Sequence, residues 1–160
     1  LYVEGLNDLA VDERIHKNDV KVRVVGRMDL LPQNVLEAIE NTEKVTADYD
    51  KFVFTVCLAY GSREEIIEAV REIAKEHAKG NLELDAIDEK EISNRLWTGE
   101  LPDPDLVIRT SGEERISNFL LWQSAYAEYY FTDVYWPSFS KTDLLEAIEA
   151  YQNRKRRFGE

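Results

Sequence analysis

Three observations predict an α/β fold in which helices flank a parallel sheet. Strand-like and helix-like stretches alternate along the chain, as they do where crossover helices join parallel strands. Phe52–Leu58 is almost wholly apolar and reads as a central strand buried on both faces. No repeat and no low-complexity linker interrupts the 160 residues, so a single domain over 1–160 is expected.

The elements follow in order. Residues 1–17 carry Leu6, Leu9 and Ile15 and hint at helix without a clean period. Lys21-Val22-Arg23-Val24-Val25 alternates and stops at Gly26, which predicts a strand. Pro32 opens a helical pattern through Val35, Leu36 and Ile39 that predicts a helix to about Thr46. Phe52–Leu58 closes at Tyr60-Gly61. Ser62 and Glu65 then read as a capping box, with Arg63 in the turn and a helix running to Gly80. Asp88 and Glu91 read as the N-cap and N3 of a helix from about Glu89 to Trp97. Past Pro102 and Pro104, Leu106-Val107-Ile108 reads as a short buried strand that delivers Arg109 at its carboxyl end. Ser117 or Asn118 can cap a short helix to about Ala125, and Ala127 to Phe131 has β character. Trp136-Pro137 ends that strand, and Ser140 with Asp143 starts a last helix that finishes in the basic run Arg154-Lys155-Arg156-Arg157.

The formal net charge of −12 disfavours nucleic acid as a partner, since its phosphates would be repelled. Cys57 is the single cysteine, cannot form an internal disulfide, and suits a small core position in a reducing cytoplasm. No apolar run approaches the ~20 residues of a membrane span.

The chemistry concentrates after the third predicted strand. Open α/β sheets bind ligands just outside the carboxyl ends of their strands. Arg109 and Arg115 stand there with Ser117 and the expected helix N-terminus. Two guanidiniums, a hydroxyl and free N–H groups suit an anion, above all phosphate or diphosphate. The competing use of a lone arginine is a surface ion pair, and Glu113 and Glu114 are at hand.

The stretch DLVIRTSGEERISNFLLWQSAYAEYYF, residues 105–131, is followed by WPSF at 136–139 and YQNRKRRFG at 151–159. Together they resemble the C-terminal third of the cis-prenyltransferases, the family of undecaprenyl and dehydrodolichyl diphosphate synthases. AYGSREEI at 59–66 extends the likeness back to about Val20. The resemblance implies that isopentenyl diphosphate is condensed onto an allylic diphosphate such as farnesyl diphosphate, with cis double-bond geometry, to make a long-chain polyprenyl diphosphate. It implies that Arg109, Arg115, Ile116 and Ser117 bind isopentenyl diphosphate. It also implies that Glu128 is associated with Mg²⁺, that the protein is a homodimer, and that it works in the cytoplasm, touching the membrane only through its lipid product. Arg157-Phe158-Gly159 looks like the family's C-terminal R-x-G, which can reach a partner's site.

Two features depart from the family pattern. Glu114 stands where family members often carry histidine. No M-D-G-N-G-R-like loop and no F-S-x-E-N-W segment occurs in the 160 residues, so the N-terminal portion of the family fold is expected to be absent. The chain is then expected to hold half a site, no catalytic residue, and to turn over nothing alone. Phe119, Trp122, Tyr126, Tyr129, Tyr130 and Phe131 suit a core or a dimer interface better than an isoprenoid tunnel. One alternative is a non-catalytic partner subunit of a heteromeric cis-prenyltransferase, against which the retained Arg109, Arg115 and Ser117 argue. An unrelated phosphate-binding α/β module is the other. The absence of a D-D-x-x-D motif argues against the trans-prenyltransferases.

Overall fold

The computed structural model describes residues 1–154. Lys155, Arg156 and the Arg157-Phe158-Gly159 motif lie outside the described residues. Two short helices, α1 (Tyr2–Val11) and α2 (Glu13–Lys17), open the chain. α2 is separated from α1 by Asp12, whose side chain accepts from the Arg14 N–H at 2.8 Å. β1 (Val20–Gly26), α3 (Gln33–Val45), β2 (Phe52–Leu58) and α4 (Ser62–Ala78) follow. Then come α5 (Glu89–Arg95), β3 (Leu106–Arg109), β4 (Glu128–Phe131) and α6 (Lys141–Gln152). The expected α/β architecture is present, and both strand pairs are parallel.

β1 and β2 pair from Val20 beside Phe52 to Gly26 beside Leu58. Leu6 of α1, Val24 of β1, and Val35, Ala38 and Ile39 of α3 make a core against this pair, with Val56 and Leu58 packed on it. The outer edge of β1 is closed by α3. Val22 N–H donates to Thr46 Oγ1 at 3.0 Å and Val24 N–H to Glu43 Oε1 at 2.8 Å. Side chains thus take up donors that an edge strand leaves open.

β2 is not the doubly buried central strand that its composition suggests. Among the described residues it pairs with β1 alone, and Phe52 is 62% exposed, with Val53 and Phe54 exposed beside it. Pairing on one edge and packing of Val56 and Leu58 on one face account for only half of the apolar run. β3 is likewise half-buried rather than buried.

Ser62 and Glu65 do not form a capping box either. Gly61 is the N-cap of α4 and makes no side-chain cap bond. Ser62 Oγ accepts instead from the Leu121 N–H at 2.9 Å. Glu65 is fully buried and accepts from the Tyr60 hydroxyl and from Gln123 Nε2. Both side chains are claimed by tertiary partners, which outcompete the local cap. The caps of α5 and α6 do form as the sequence suggests. Asp88 accepts from the Glu91 N–H at 2.7 Å, and Ser140 with Asp143 makes a reciprocal capping box.

Candidate functional site

β3 and β4 lie in register, Leu106 beside Glu128 and Arg109 beside Phe131, so their carboxyl ends open on one side. The turns that leave the two strands are tied together. Thr132 N–H donates to the Arg109 carbonyl at 3.0 Å, Gly112 N–H to the Thr132 carbonyl at 2.9 Å, and Ser111 N–H to the Val134 carbonyl at 2.9 Å. Gly112 has φ +67°, and a Cβ there would meet Asp133 Oδ1 at 2.9 Å, so glycine suits this turn.

A cavity of about 220 Å³ opens at these strand ends. Arg109, Arg115, Ile116 and Ser117 line it together with Val107, Ile108, Phe119, Tyr129 and Phe131. The four residues that the resemblance singles out for substrate therefore share one cavity with an apolar floor. Phe119, Tyr129 and Phe131 line the cavity, although the sequence favoured core or interface packing over a lining role for these aromatics. Alternation along a strand that starts at Glu128 puts Tyr129 and Phe131 on one face, and that spacing was the available signal.

Arg109 Nη1 donates to the Arg115 carbonyl, which fixes one arginine against the loop that carries the other. The Arg115 guanidinium pairs with Glu113, the surface ion pair that competed for it in the sequence. That pair is largely exposed, and such pairs are worth only ~0–1 kcal/mol. Arginine pairs with phosphate in the same bidentate geometry as with carboxylate, so a phosphate can take the place of Glu113 at Arg115.

The expected helix after Ser117 does not form. Residues 117–126 are a run of turns and a bend, with Ser117 at φ 51°, Asn118 at 64° and Leu120 at 48°. Left-handed backbone at these three positions is incompatible with a right-handed helix. The cavity therefore draws on side chains rather than on a helix N-terminus. Asn118 does cap a helix, but it is α4, far back in the chain. Its carbonyl accepts from the Ser62 N–H at 2.9 Å and its Oδ1 from the Arg63 N–H at 2.9 Å. Arg63 sits in that first turn of α4 and is not among the cavity-lining residues.

Glu128 is the first residue of β4, at the opposite end from Arg109, and its carboxylate pairs with Arg154 at 2.7 Å. Three strand steps span about 10 Å. Among the described residues no group of three or more His, Cys, Asp or Glu side chains could hold a metal ion. These residues do not by themselves fit a magnesium site. Of the remaining aromatics, Trp122 donates to Ser93 Oγ at 2.9 Å, while Tyr126 is 80% exposed.

Apart from the cavity lining, the chain buries a polar group that the sequence did not reveal. Gln123 Nε2 bridges Glu65 Oε2 at 3.1 Å and Thr98 Oγ1 at 2.7 Å. Burial and the neighbouring Glu65 push the Tyr60 hydroxyl far up. Burial, then the Glu65 charge, pushes the Cys57 thiol up to about 11.

The family model described as "Putative undecaprenyl diphosphate synthase" matches residues 3–159. The chain belongs to this prenyltransferase family. A tritrans,polycis-undecaprenyl-diphosphate synthase (geranylgeranyl-diphosphate specific) from Methanopyrus kandleri is 55% identical over 159 residues, 99% of this chain and 59% of the relative. The protein of the same name from Thermoplasma volcanium is 52% identical over 151 residues, 94% of this chain and 58% of the relative. The chain thus spans somewhat under two thirds of the length of these family members. Among solved structures, lavandulyl diphosphate synthase from Lavandula x intermedia, in complex with dimethylallyl diphosphate, superposes with a TM-score of 0.92 at 37% identity. That match covers 99% of this chain and 68% of the other. A Campylobacter jejuni structure described as a probable undecaprenyl diphosphate synthase gives 0.84 at 32% identity, covering 98% and 70%. Family membership expected from the sequence agrees with all five matches, and the α/β fold agrees with both solved structures.

Proposed function

We propose that this chain is one domain, the C-terminal part of a cis-prenyltransferase, and that its cavity holds isopentenyl diphosphate during prenyl chain elongation. The observation that carries this reading is the meeting of Arg109, Arg115, Ile116 and Ser117 on one cavity at the carboxyl ends of β3 and β4. Arg109 and Arg115 bind the diphosphate oxygens, each able to present two parallel N–H donors. The Ser117 hydroxyl donates a further bond. Ile116, Phe119, Tyr129 and Phe131 form the apolar wall for the five-carbon unit. Neutralising one diphosphate lets a second approach, so these side chains supply proximity as well as binding. The allylic C–O bond then breaks, the isopentenyl double bond attacks the allylic carbon, and loss of a proton leaves the new double bond.

The sequence contains no M-D-G-N-G-R-like loop, and in this reading the residues of this chain hold only the isopentenyl diphosphate half of the site. The 160 residues alone are expected to bind that substrate and to elongate nothing. Magnesium dependence is part of the proposal through the family, and to contribute a carboxylate Glu128 would have to exchange Arg154 for the ion and act with ligands from outside the described residues. Homodimerisation is part of it too, and exposed Tyr126, Tyr135 and Trp136 are the side chains that a second copy would cover. The protein is proposed to work in the cytoplasm. No helix among the described residues is long and apolar enough to cross a membrane. Two similar proteins are named as specific for geranylgeranyl diphosphate, which makes it the primer to compare with farnesyl diphosphate. The retained arginines and serine favour this reading over a non-catalytic partner subunit.

The test is chain elongation by the complete gene product with Mg²⁺, an allylic diphosphate and labelled isopentenyl diphosphate. Polyprenyl diphosphate products with cis double bonds are expected. A folded protein that elongates neither primer would overturn the proposal.

A further inference from the structure

The segment that carries Arg115 and Ser117 into the cavity has no regular structure, and Ser117, Asn118 and Leu120 all adopt left-handed backbone. Non-glycine residues hold that conformation only where neighbours over-determine it. The neighbour here is the first turn of α4. A helix leaves its first N–H groups without partners of its own. Asn118 takes two of them, through its carbonyl on the Ser62 N–H and its Oδ1 on the Arg63 N–H, both at 2.9 Å. Its Nδ2 donates to Glu64 Oε2 at 3.1 Å, and Leu121 N–H donates to Ser62 Oγ at 2.9 Å. Gly61 makes the approach possible, because a Cβ there would come within 2.2 Å of Glu64 Oε2 and 2.8 Å of Asn118 Nδ2.

We propose that Asn118 is a positioning residue: by docking its loop on α4, it sets Arg115 and Ser117 at the distance from Arg109 that a diphosphate requires. Asn118 is not among the cavity-lining residues, so its effect passes through its neighbours. The inference rests on the reading of the cavity as the isopentenyl diphosphate pocket. It joins two regions that are remote in sequence, so that α4 holds the shape of a pocket to which it gives no lining side chain.

The test uses the complete enzyme. Asn118→Gly keeps the left-handed backbone and removes only the two side-chain bonds. It is expected to raise KM for isopentenyl diphosphate about tenfold, the factor for one to two lost hydrogen bonds, while kcat and the allylic KM stay within about twofold. Asn118→Asp with Glu64→Gln reverses donor and acceptor at constant charge and still accepts from the Arg63 N–H. This pair is expected to return KM to within about threefold of the parent. An unchanged KM in Asn118→Gly, an equal loss in kcat and both KM values, or failure of the paired exchange to rescue would overturn the role. Arg109→Ala is the control. If it leaves KM for isopentenyl diphosphate unchanged, the pocket reading itself has failed; if it raises KM and Asn118→Gly does not, only the positioning role has. Should Asn118→Gly not fold, Glu64→Ala removes one anchor alone and is expected to raise the same KM about threefold. No change there would overturn the proposal equally.

Discussion

The β1–β2 pair and the β3–β4 pair are both parallel and both two-stranded, yet they are finished differently. α1 and α3 pack Leu6, Val35, Ala38 and Ile39 on the first pair, and Thr46 and Glu43 close its outer edge. The second pair has no fully buried strand residue, and at its end lies a cavity shaped by turns rather than by a helix. The first pair buries its side chains in packing, and the second turns Val107, Ile108, Arg109, Tyr129 and Phe131 toward a cavity. Stability and binding should therefore respond to different substitutions.

The largest effect expected is on stability, in the first pair. Ile39→Ala empties a buried position and should cost ~2–5 kcal/mol, read as a lower urea midpoint. In the second pair, Arg109→Ala and Arg115→Ala should each weaken isopentenyl diphosphate binding by ~1–3 kcal/mol in calorimetric titration. Their urea midpoints should hardly move, because both arginines stand at the mouth of a cavity rather than in a core. A large loss of stability in either would erase the contrast. Ser140→Ala should cost ~1 kcal/mol by removing the cap of α6, and should leave substrate affinity alone.

The smallest effect concerns Cys57, whose thiol titrates near 11 instead of its ordinary 9.0. Its folded-state value lies above its unfolded one. The neutral thiol thus adds stability that is complete below 9.0 and fades as pH rises through about 11. Alkylation of the native protein should stay slow through pH 9 and accelerate towards pH 11. A rate that levels off near pH 9 would contradict the burial assigned to it.

What could be read in the sequence divides along the same line. Periodicity and turn residues located β1, α3, β2, α4 and the start of α6 to within a residue or two, because local pattern and tertiary burial agree there; α6 ends at Gln152, before the basic run expected to finish it. They failed at the Ser62–Glu65 motif, where a capping signature was overridden by Leu121, Tyr60 and Gln123. They failed again at residues 117–126, where apolar spacing suggested a helix and left-handed backbone forbids one. The meeting of Arg109, Arg115 and Ser117 on one cavity was legible because strand-end position and family resemblance pointed to the same residues. Asn118 was misread as a cap for its own segment, since its real partner lies 55 positions away. Glu128 was legible as a motif residue but not in its placement, three strand steps from Arg109 and paired with Arg154.

Structure determination with a diphosphonate analogue of isopentenyl diphosphate, in the absence of any allylic diphosphate, tests the central claim most directly. The account predicts diphosphate oxygens within hydrogen-bond distance of Arg109, Arg115 and Ser117, with Arg115 drawn away from Glu113. A diphosphate bound elsewhere on the protein, or an empty cavity at saturating analogue, would contradict it.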